Sequence, residues 1–197
     1  KTMLRDQAEK TMDMEVLDDV PLEDLNYETI QGYRNRHQVL NAGHPFERLN
    51  NDEYLRSIGA AAISKEDHQL HPTAAGMFGN EYNIVRHFPD YFLDYREVLD
   101  PSIRWTDRLQ SSSGEWSGNI CDFYFRVYNK IIKDVKVPFS MKGGDRIDDT
   151  PVHKALREAL ANCLINADYY GTRGVVIKKD QNQIIFENPG YIRTGKE

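Results

Sequence analysis

Cysteine is scarce: Cys121 and Cys163 are the only two in 197 residues. They stand too far apart for a metal knuckle, and Cys163 falls on an apolar helical face. Both read as buried thiols of a reducing cytoplasm rather than a disulfide. No apolar run is long enough to span a bilayer. The first ten residues, KTMLRDQAEK, are too charged for a signal peptide. The expectation is a cytoplasmic chain with no membrane partner. No G-x-x-x-x-G-K-[ST] stretch is present, so a P-loop motor must lie elsewhere or not exist. No Ser sits in G-x-S-x-G, which leaves a hydrolase elbow unsupported. Internal repeats and low-complexity tracts are missing too. So is an excess of basic residues: the net charge is −6. That weighs against non-specific nucleic-acid binding by the chain as a whole, though a local basic patch remains open. The chain does not open on Met and stops at TGKE; it reads as a piece of a larger protein.

What is there is a 40% hydrophobic content, lean but sufficient for a core. Residues 1–20 show no period and read as a linker from an upstream domain. Asn26 is placed to cap a helix in YETIQGYRNRHQVLN, stopped by Gly43 and Pro45. Asn51–Ile58 reads as a second short helix, and AAGMFGN as another. AAAIS is ambiguous between strand and helix edge. Ile84 to Phe88 suggests a strand, and Tyr91 to Glu97 a second one. RWTDRL precedes a Ser- and Gly-rich loop, QSSSGEWSGN. That loop reads either as surface with Trp116 tucked into the core, or as a ligand or partner contact.

From Asn119 the pattern is helical, with Ile120, Phe123, Tyr124, Val127, Tyr128 and Ile131 on one broad apolar face. Gly143-Gly144 suggests a flexible tip, and Arg146 with Asp148 and Asp149 a solvated cluster. Pro151 to Tyr170 reads as one long amphipathic helix with Thr150 as N-cap and Pro151 at its first position. Its apolar stripe should pack on the 120–133 helix. GVVIKKD and QIIFENPG then read as two strands around an Asp180-Gln181-Asn182 turn.

The polar side of the 151–170 helix carries the best candidate site. Glu158 and Asn162 are four apart and lie one above the other, and Asn166 continues the line. A carboxylate can orient a water toward a γ-phosphate, and an amide oxygen can hold Mg²⁺ against phosphates. The turn Asn188-Pro189-Gly190 lets backbone approach a base. The same residues also suit a solvated helix face and an ordinary β-turn. His68 and His71, three apart with His87 further on, would be half of a zinc site that nothing completes.

REALANCLINADYYGTRGVVI…IIFENPG resembles the C-terminal domain of bacterial RecG-related regulators, the ATP-dependent DNA helicase or AlbA/Schlafen-domain family. There a motif like REALxNAxxHRDY is followed by a strand pair and NPG. HPTAAGMFGNEYNIVRHFPDYFLDYRE, RWTDRL and SSSGEWSGNICDFYFRVYNKI resemble segments of the same family, so the likeness runs over roughly residues 70 to 194. It implies an N-terminal DNA-binding domain that is absent here, and a C-terminal part similar to the GHKL ATPase fold of gyrase and histidine kinases. Carried over, Glu158 matches that fold's general base and Asn162 its Mg²⁺ ligand. Asn188 and Gly190 match the Asp-x-Gly turn that reads adenine. Three positions depart: Asn188 replaces the Asp, Ile192 stands where a second Gly would fall, and Asn166-Ala167 replaces His-Arg. An Asn still accepts through its carbonyl oxygen but carries no charge.

The expectation is therefore an α+β fragment. Residues 1–20 are a linker, 21–118 a mixed region, and 119–197 a truncated GHKL-like unit of helix plus β-hairpin. Glu158 is the catalytic candidate, and Asn162, Asn166, Asn188 and Gly190 are the cofactor-binding ones. Asn162 is the metal ligand, with ATP and Mg²⁺ as cofactors. The role is a regulatory, nucleotide-binding module, a Mg-dependent ATPase, or a dimerisation scaffold built on the aromatic stretch FPDYFLDYRE. Basic residues gathered on one face, such as Arg104, Arg108 and Lys142, would favour direct DNA contact.

Overall fold

The computed structural model describes residues 15–133, 141–142, 145–146 and 150–190. Most of the 1–20 linker, the side chain of Lys142, the Gly143-Gly144 tip, Asp148, Asp149 and Ile192 lie outside the described residues. The fold class is α+β, as expected. The chain divides into two compact units, 1–80 and 81–197.

In the first unit, α1 (Tyr27–Leu40) starts where Asn26 accepts a hydrogen bond from the Thr29 amide at 2.9 Å. The second helix, α2 (Asn51–Ser57), opens on a full capping box between Asn50 and Glu53. AAAIS resolves as strand β1 (Ala61–Ile63), antiparallel to β2 (Leu70–Pro72). The short helix α3 (Ala75–Phe78) follows. Phe78 and Tyr54 are buried in this unit. His71 is spent structurally. Its Nε2 meets Asp67 at 2.8 Å and its Nδ1 the Val20 carbonyl at 2.9 Å. Among the described residues no three His, Cys, Asp or Glu side chains cluster as a metal site.

The second unit begins with a correction. Ile84 to Phe88, expected as a strand, lies in or just after the helix α4 (Glu81–His87). Alternation over five residues does not separate strand from helix. Here Ile84, Val85 and Phe88 reach the core together, which the i, i+1, i+4 spacing of a helix allows. Strand β3 (Leu93–Val98) then pairs antiparallel with β4 (Asp107–Gln110). After α5 (Ile120–Ile132) and two short strands, β5 (Met141–Lys142) and β6 (Asp145–Arg146), comes α6 (Pro151–Ile165). The hairpin β7 (Val175–Asp180) and β8 (Ile184–Glu187) completes a four-stranded sheet of order β4-β3-β7-β8.

Because β3 runs parallel to β7, with Leu93 opposite Val175, residues 93–110 share a sheet with the C-terminal hairpin. The division therefore falls at Asn80/Glu81 and not at 118/119. One face of the sheet carries Leu93, Tyr95, Val175 and Ile177. These bury with Phe123, Val127 and Ile131 of α5 and Leu160, Cys163 and Leu164 of α6. The aromatic stretch that motivated a dimer interface is thus largely interior: Tyr91, Leu93 and Tyr95 are all buried. Trp116 stacks on Phe123 with ring centroids 6.1 Å apart, and its indole donates to the Gln110 carbonyl.

Gly174 marks the closest approach in the sheet. A Cβ there would lie 2.3 Å from the Phe92 carbonyl oxygen. Only glycine lets β7 begin at that point.

Candidate functional site

The α6 helix ends at Ile165, five residues earlier than expected, with Asn166 as its C-cap. Asn166 turns back on its own helix: both its backbone N–H and its side-chain amide donate to the Asn162 carbonyl, at 3.1 and 2.9 Å. Its own carbonyl accepts the Asn188 side-chain amide at 3.2 Å. The Asp168 N–H donates to the Pro189 carbonyl at 3.0 Å. Gly190 sits beside this junction at φ 129°, where a Cβ would lie 3.6 Å from the Asn166 carbonyl oxygen. That φ favours glycine.

All five expected residues are therefore brought together on one exposed face. The Asn162 amide donates to Glu158 Oε1 at 3.1 Å, linking the first two. Asn162, Asn166 and Asn188 continue the chain of contacts to the turn at Gly190. Thr150 stands at the N-cap as expected, but its hydroxyl meets His153 Nδ1 rather than a backbone N–H.

The donor set suits a hard cation bound mainly by phosphate. Because Asn162 spends its N–H on Glu158, its side-chain oxygen is the atom left to accept. Oxygen donors with one or two protein contacts are what Mg²⁺ takes when phosphates and waters fill the remaining positions. Asn188 is arranged alike: its nitrogen is committed to Asn166, which leaves the carbonyl oxygen as acceptor. Lys154, one turn before Glu158 and exposed, extends the same line toward the helix start.

The sequence did not single out Asp168 or the tyrosines around the site. Asp168 joins α6 to the Asn188-Pro189-Gly190 turn through its backbone, and its carboxylate accepts the Tyr170 N–H at 3.1 Å. Tyr169 donates to the Leu164 carbonyl at 2.8 Å and lies 5.7 Å from the Tyr91 ring. Burial drives the Tyr169 hydroxyl well above the ordinary phenol range. The usable signal was the Asp-Tyr that ends the quoted motif, which here is Asp168-Tyr169. On the α5 side, Arg157 donates to the Tyr128 hydroxyl at 3.1 Å. Burial raises Tyr124, with the nearby Glu158 carboxylate adding a smaller push in the same direction. Cys163, beneath this face, is free and buried, and burial lifts its thiol to about 11. It is a packed thiol and not a nucleophile.

Comparison with known proteins gives little beyond the fold. Residues 1–94 match the model of a family described as a domain of unknown function, DUF8451. No curated protein matches. Among solved structures, the DIP2311 protein from Corynebacterium diphtheriae is similar at 16% identity and a TM-score of 0.62, over 91% of this chain. The chain spans 33% of that protein's length. At this identity the likeness shows a shared fold. No helix among the described residues is long and apolar enough to cross a membrane.

Proposed function

We propose that the second unit is a nucleotide-sensing module that binds Mg-ATP on the α6–β8 face and regulates a larger bacterial protein of the RecG-related, AlbA/Schlafen type. The resemblance implies that a separate N-terminal domain of that protein also contacts DNA. The observation that carries this reading is the continuous polar line Glu158–Asn162–Asn166–Asn188–Gly190, closed by the 3.2 Å bond from Asn188 to the Asn166 carbonyl. Residues 30 positions apart in sequence are joined into one surface, as the GHKL resemblance implies.

In this reading Asn162 offers its side-chain oxygen to the cation, and Asn188 accepts from the base amino group. Gly190 leaves room for the ring, and Glu158 orients a water. Mg-ATP when bound supplies the phosphoanhydride and the charge that these groups meet. Regulation is favoured over turnover because Asn188 lacks the negative charge of the Asp it replaces, and because Glu158 and Asn162 are open to solvent. Turnover is the second reading, with Glu158 as general base.

The test is thermal unfolding with and without Mg-ATP. Ligand at a hundredfold over its Kd stabilises by about 2.7 kcal/mol. The shift should vanish in Asn162→Ala, and phosphate release should stay at background. No shift, or an equal shift in Asn162→Ala, overturns the proposal. Phosphate release that depends on Glu158 would replace sensing with hydrolysis.

A further inference from the structure

The face of the sheet opposite α5 and α6 carries an arrangement that strand physics disfavours. Side chains alternate along a strand, so with Leu93 and Tyr95 in the core, Asp94 and Arg96 point the other way. The β3–β4 register sets Arg96 directly opposite Arg108. The β3–β7 register sets Arg96 directly opposite Lys178. Three cations thus stand in one row across three strands, neighbours about 4.8 Å apart in strand spacing. Like charges directly opposite one another destabilise a sheet.

The offset comes from beneath. The Asp94 side chain is wholly buried and holds both guanidiniums. It receives Arg96 Nε at 2.7 Å and Arg108 through Nε and Nη2 at 3.0 and 2.9 Å. One carboxylate fixes two arginines in place and leaves the group net positive. Beside it, the Arg108 guanidinium lies 4.4 Å from the Trp105 ring centre, and the exposed Arg104 lies 4.1 Å from the same ring. Lys178 extends the row and pairs with the exposed Glu187 at 2.7 Å.

We infer that this face is a binding surface for single-stranded nucleic acid. The ordered guanidiniums meet phosphates with planar, fork-like geometry. With Arg104 and Arg108 both lying over the Trp105 ring, the flat step offered to a base is the exposed Arg104 guanidinium, held level by the indole. A cationic sheet face with one guanidinium-stacked ring suits a polyanion carrying π-faces better than it suits an acidic peptide. The overall charge of −6 does not oppose this, because a bound phosphate meets the local charge of Arg96, Arg104 and Arg108 and not the sum over the chain. The surface lies on the other side of the sheet from the helix that carries Glu158 and Asn162, so the inference stands apart from the nucleotide reading.

Arg96 and Arg108 are poor test positions, since removing either takes hydrogen bonds from the buried Asp94 carboxylate and risks the fold. Arg104→Ala and Lys178→Gln touch nothing buried. The experiment is fluorescence anisotropy of a labelled oligothymidylate with the whole chain at about 50 and about 200 mM salt. Wild type should bind at the lower salt and weaken as salt rises. Arg104→Ala should lose about tenfold in affinity. Lys178→Gln should flatten the salt slope by about 0.7. Circular dichroism should be unchanged in both. No binding at low salt, affinity unchanged in the double variant, or equal affinity for a heparin fragment and for a polyglutamate peptide would each overturn the inference.

Discussion

Replacing Gly174 by alanine tests the pairing on which the second unit depends. An added Cβ would lie 2.3 Å from the Phe92 carbonyl oxygen, 2.7 Å from the Phe92 Cβ and 2.9 Å from its carbonyl carbon. Two of those three atoms are backbone, so no side chain can rotate away. Relief requires β7 and β3 to part by about 1 Å to reach ordinary contact distance. The Val175 N–H to Phe92 carbonyl bond, 2.9 Å long, opens the parallel ladder and would stretch with them. Overpacking of this kind costs about 1–3 kcal/mol, and a lost backbone hydrogen bond adds about 0.5–1.5. Against these, alanine restricts the unfolded chain and returns about 0.4–1 kcal/mol. The expected result is a net loss of about 2–3 kcal/mol in the second unit. Both tryptophans, Trp105 and Trp116, belong to that unit, so tryptophan emission during urea unfolding reports it selectively. The midpoint should fall by about 1 M. The sign decides the matter. If β3 and β7 did not run parallel in this register, Gly174 would sit in open turn, and alanine would stabilise rather than destabilise. An unchanged or raised midpoint would therefore refute the sheet order, and with it the assignment of residues 93–110 to the second unit.

Two further predictions concern charged groups. Lys179 and Glu97 are buried together, 3.1 Å apart, with the Tyr95 hydroxyl also donating to Glu97 at 2.8 Å and Lys179 donating to the Lys130 carbonyl at 3.0 Å. Lys179→Met should cost about 3–5 kcal/mol in urea unfolding by leaving the carboxylate uncompensated, and adding Glu97→Leu should recover most of that loss; strict additivity of the two variants would defeat the claim. In the first unit the hydrogen bond to Asp67 raises the His71 imidazole above its ordinary value. Asp67 is lowered by the Gln69 N–H and by His71. A raised histidine contributes fully below its unfolded pKa and loses that contribution as pH rises through the folded one, while a lowered carboxylate contributes above its unfolded pKa and loses it as pH falls. The pair should support the fold best between about pH 4 and 6.5, and Asp67→Asn should move the His71 NMR titration midpoint downward. An unmoved midpoint would mean that the contact is absent in solution.

What could be read from the chain and what could not divides along sequence separation. The α5 and α6 faces were legible because Phe123, Val127 and Ile131, like Leu160 and Leu164, recur at helical spacing and bury together. The β7–β8 hairpin was legible because Val175, Ile177 and Lys179 alternate with Val176, Lys178 and Asp180 ahead of a short turn. The α4 helix was misread since five residues holding Ile84, Val85 and Phe88 satisfy both periods. The parallel pairing of Leu93 with Val175 leaves no local trace at all: nothing near either residue encodes a partner eighty positions away. Gly174 is its one mark, and in sequence it looks like half of a Gly-Thr-Arg-Gly turn.

The candidate site shows the same division within a few residues. Glu158 and Asn162 could be paired on paper because i, i+4 neighbours touch on any helix, and they do so at 3.1 Å. The link from Asn166 to Asn188 could not, because it exists only if the helix stops at Ile165. Had α6 run to Tyr170, the Asn166 carbonyl would have been taken by the N–H of Tyr170 inside the helix. The early stop frees that carbonyl, and Asn188 occupies it. Asn166 therefore binds at both ends, holding Asn162 through its side chain and Asn188 through its backbone. This gives a reason for an Asn at the C-cap that does not depend on ligand contact: its amide closes the last turn while its carbonyl ties the turn at Gly190 to the helix. The end of α6 and the turn at Gly190 are consequently joined as one piece, whatever the polar face above them does.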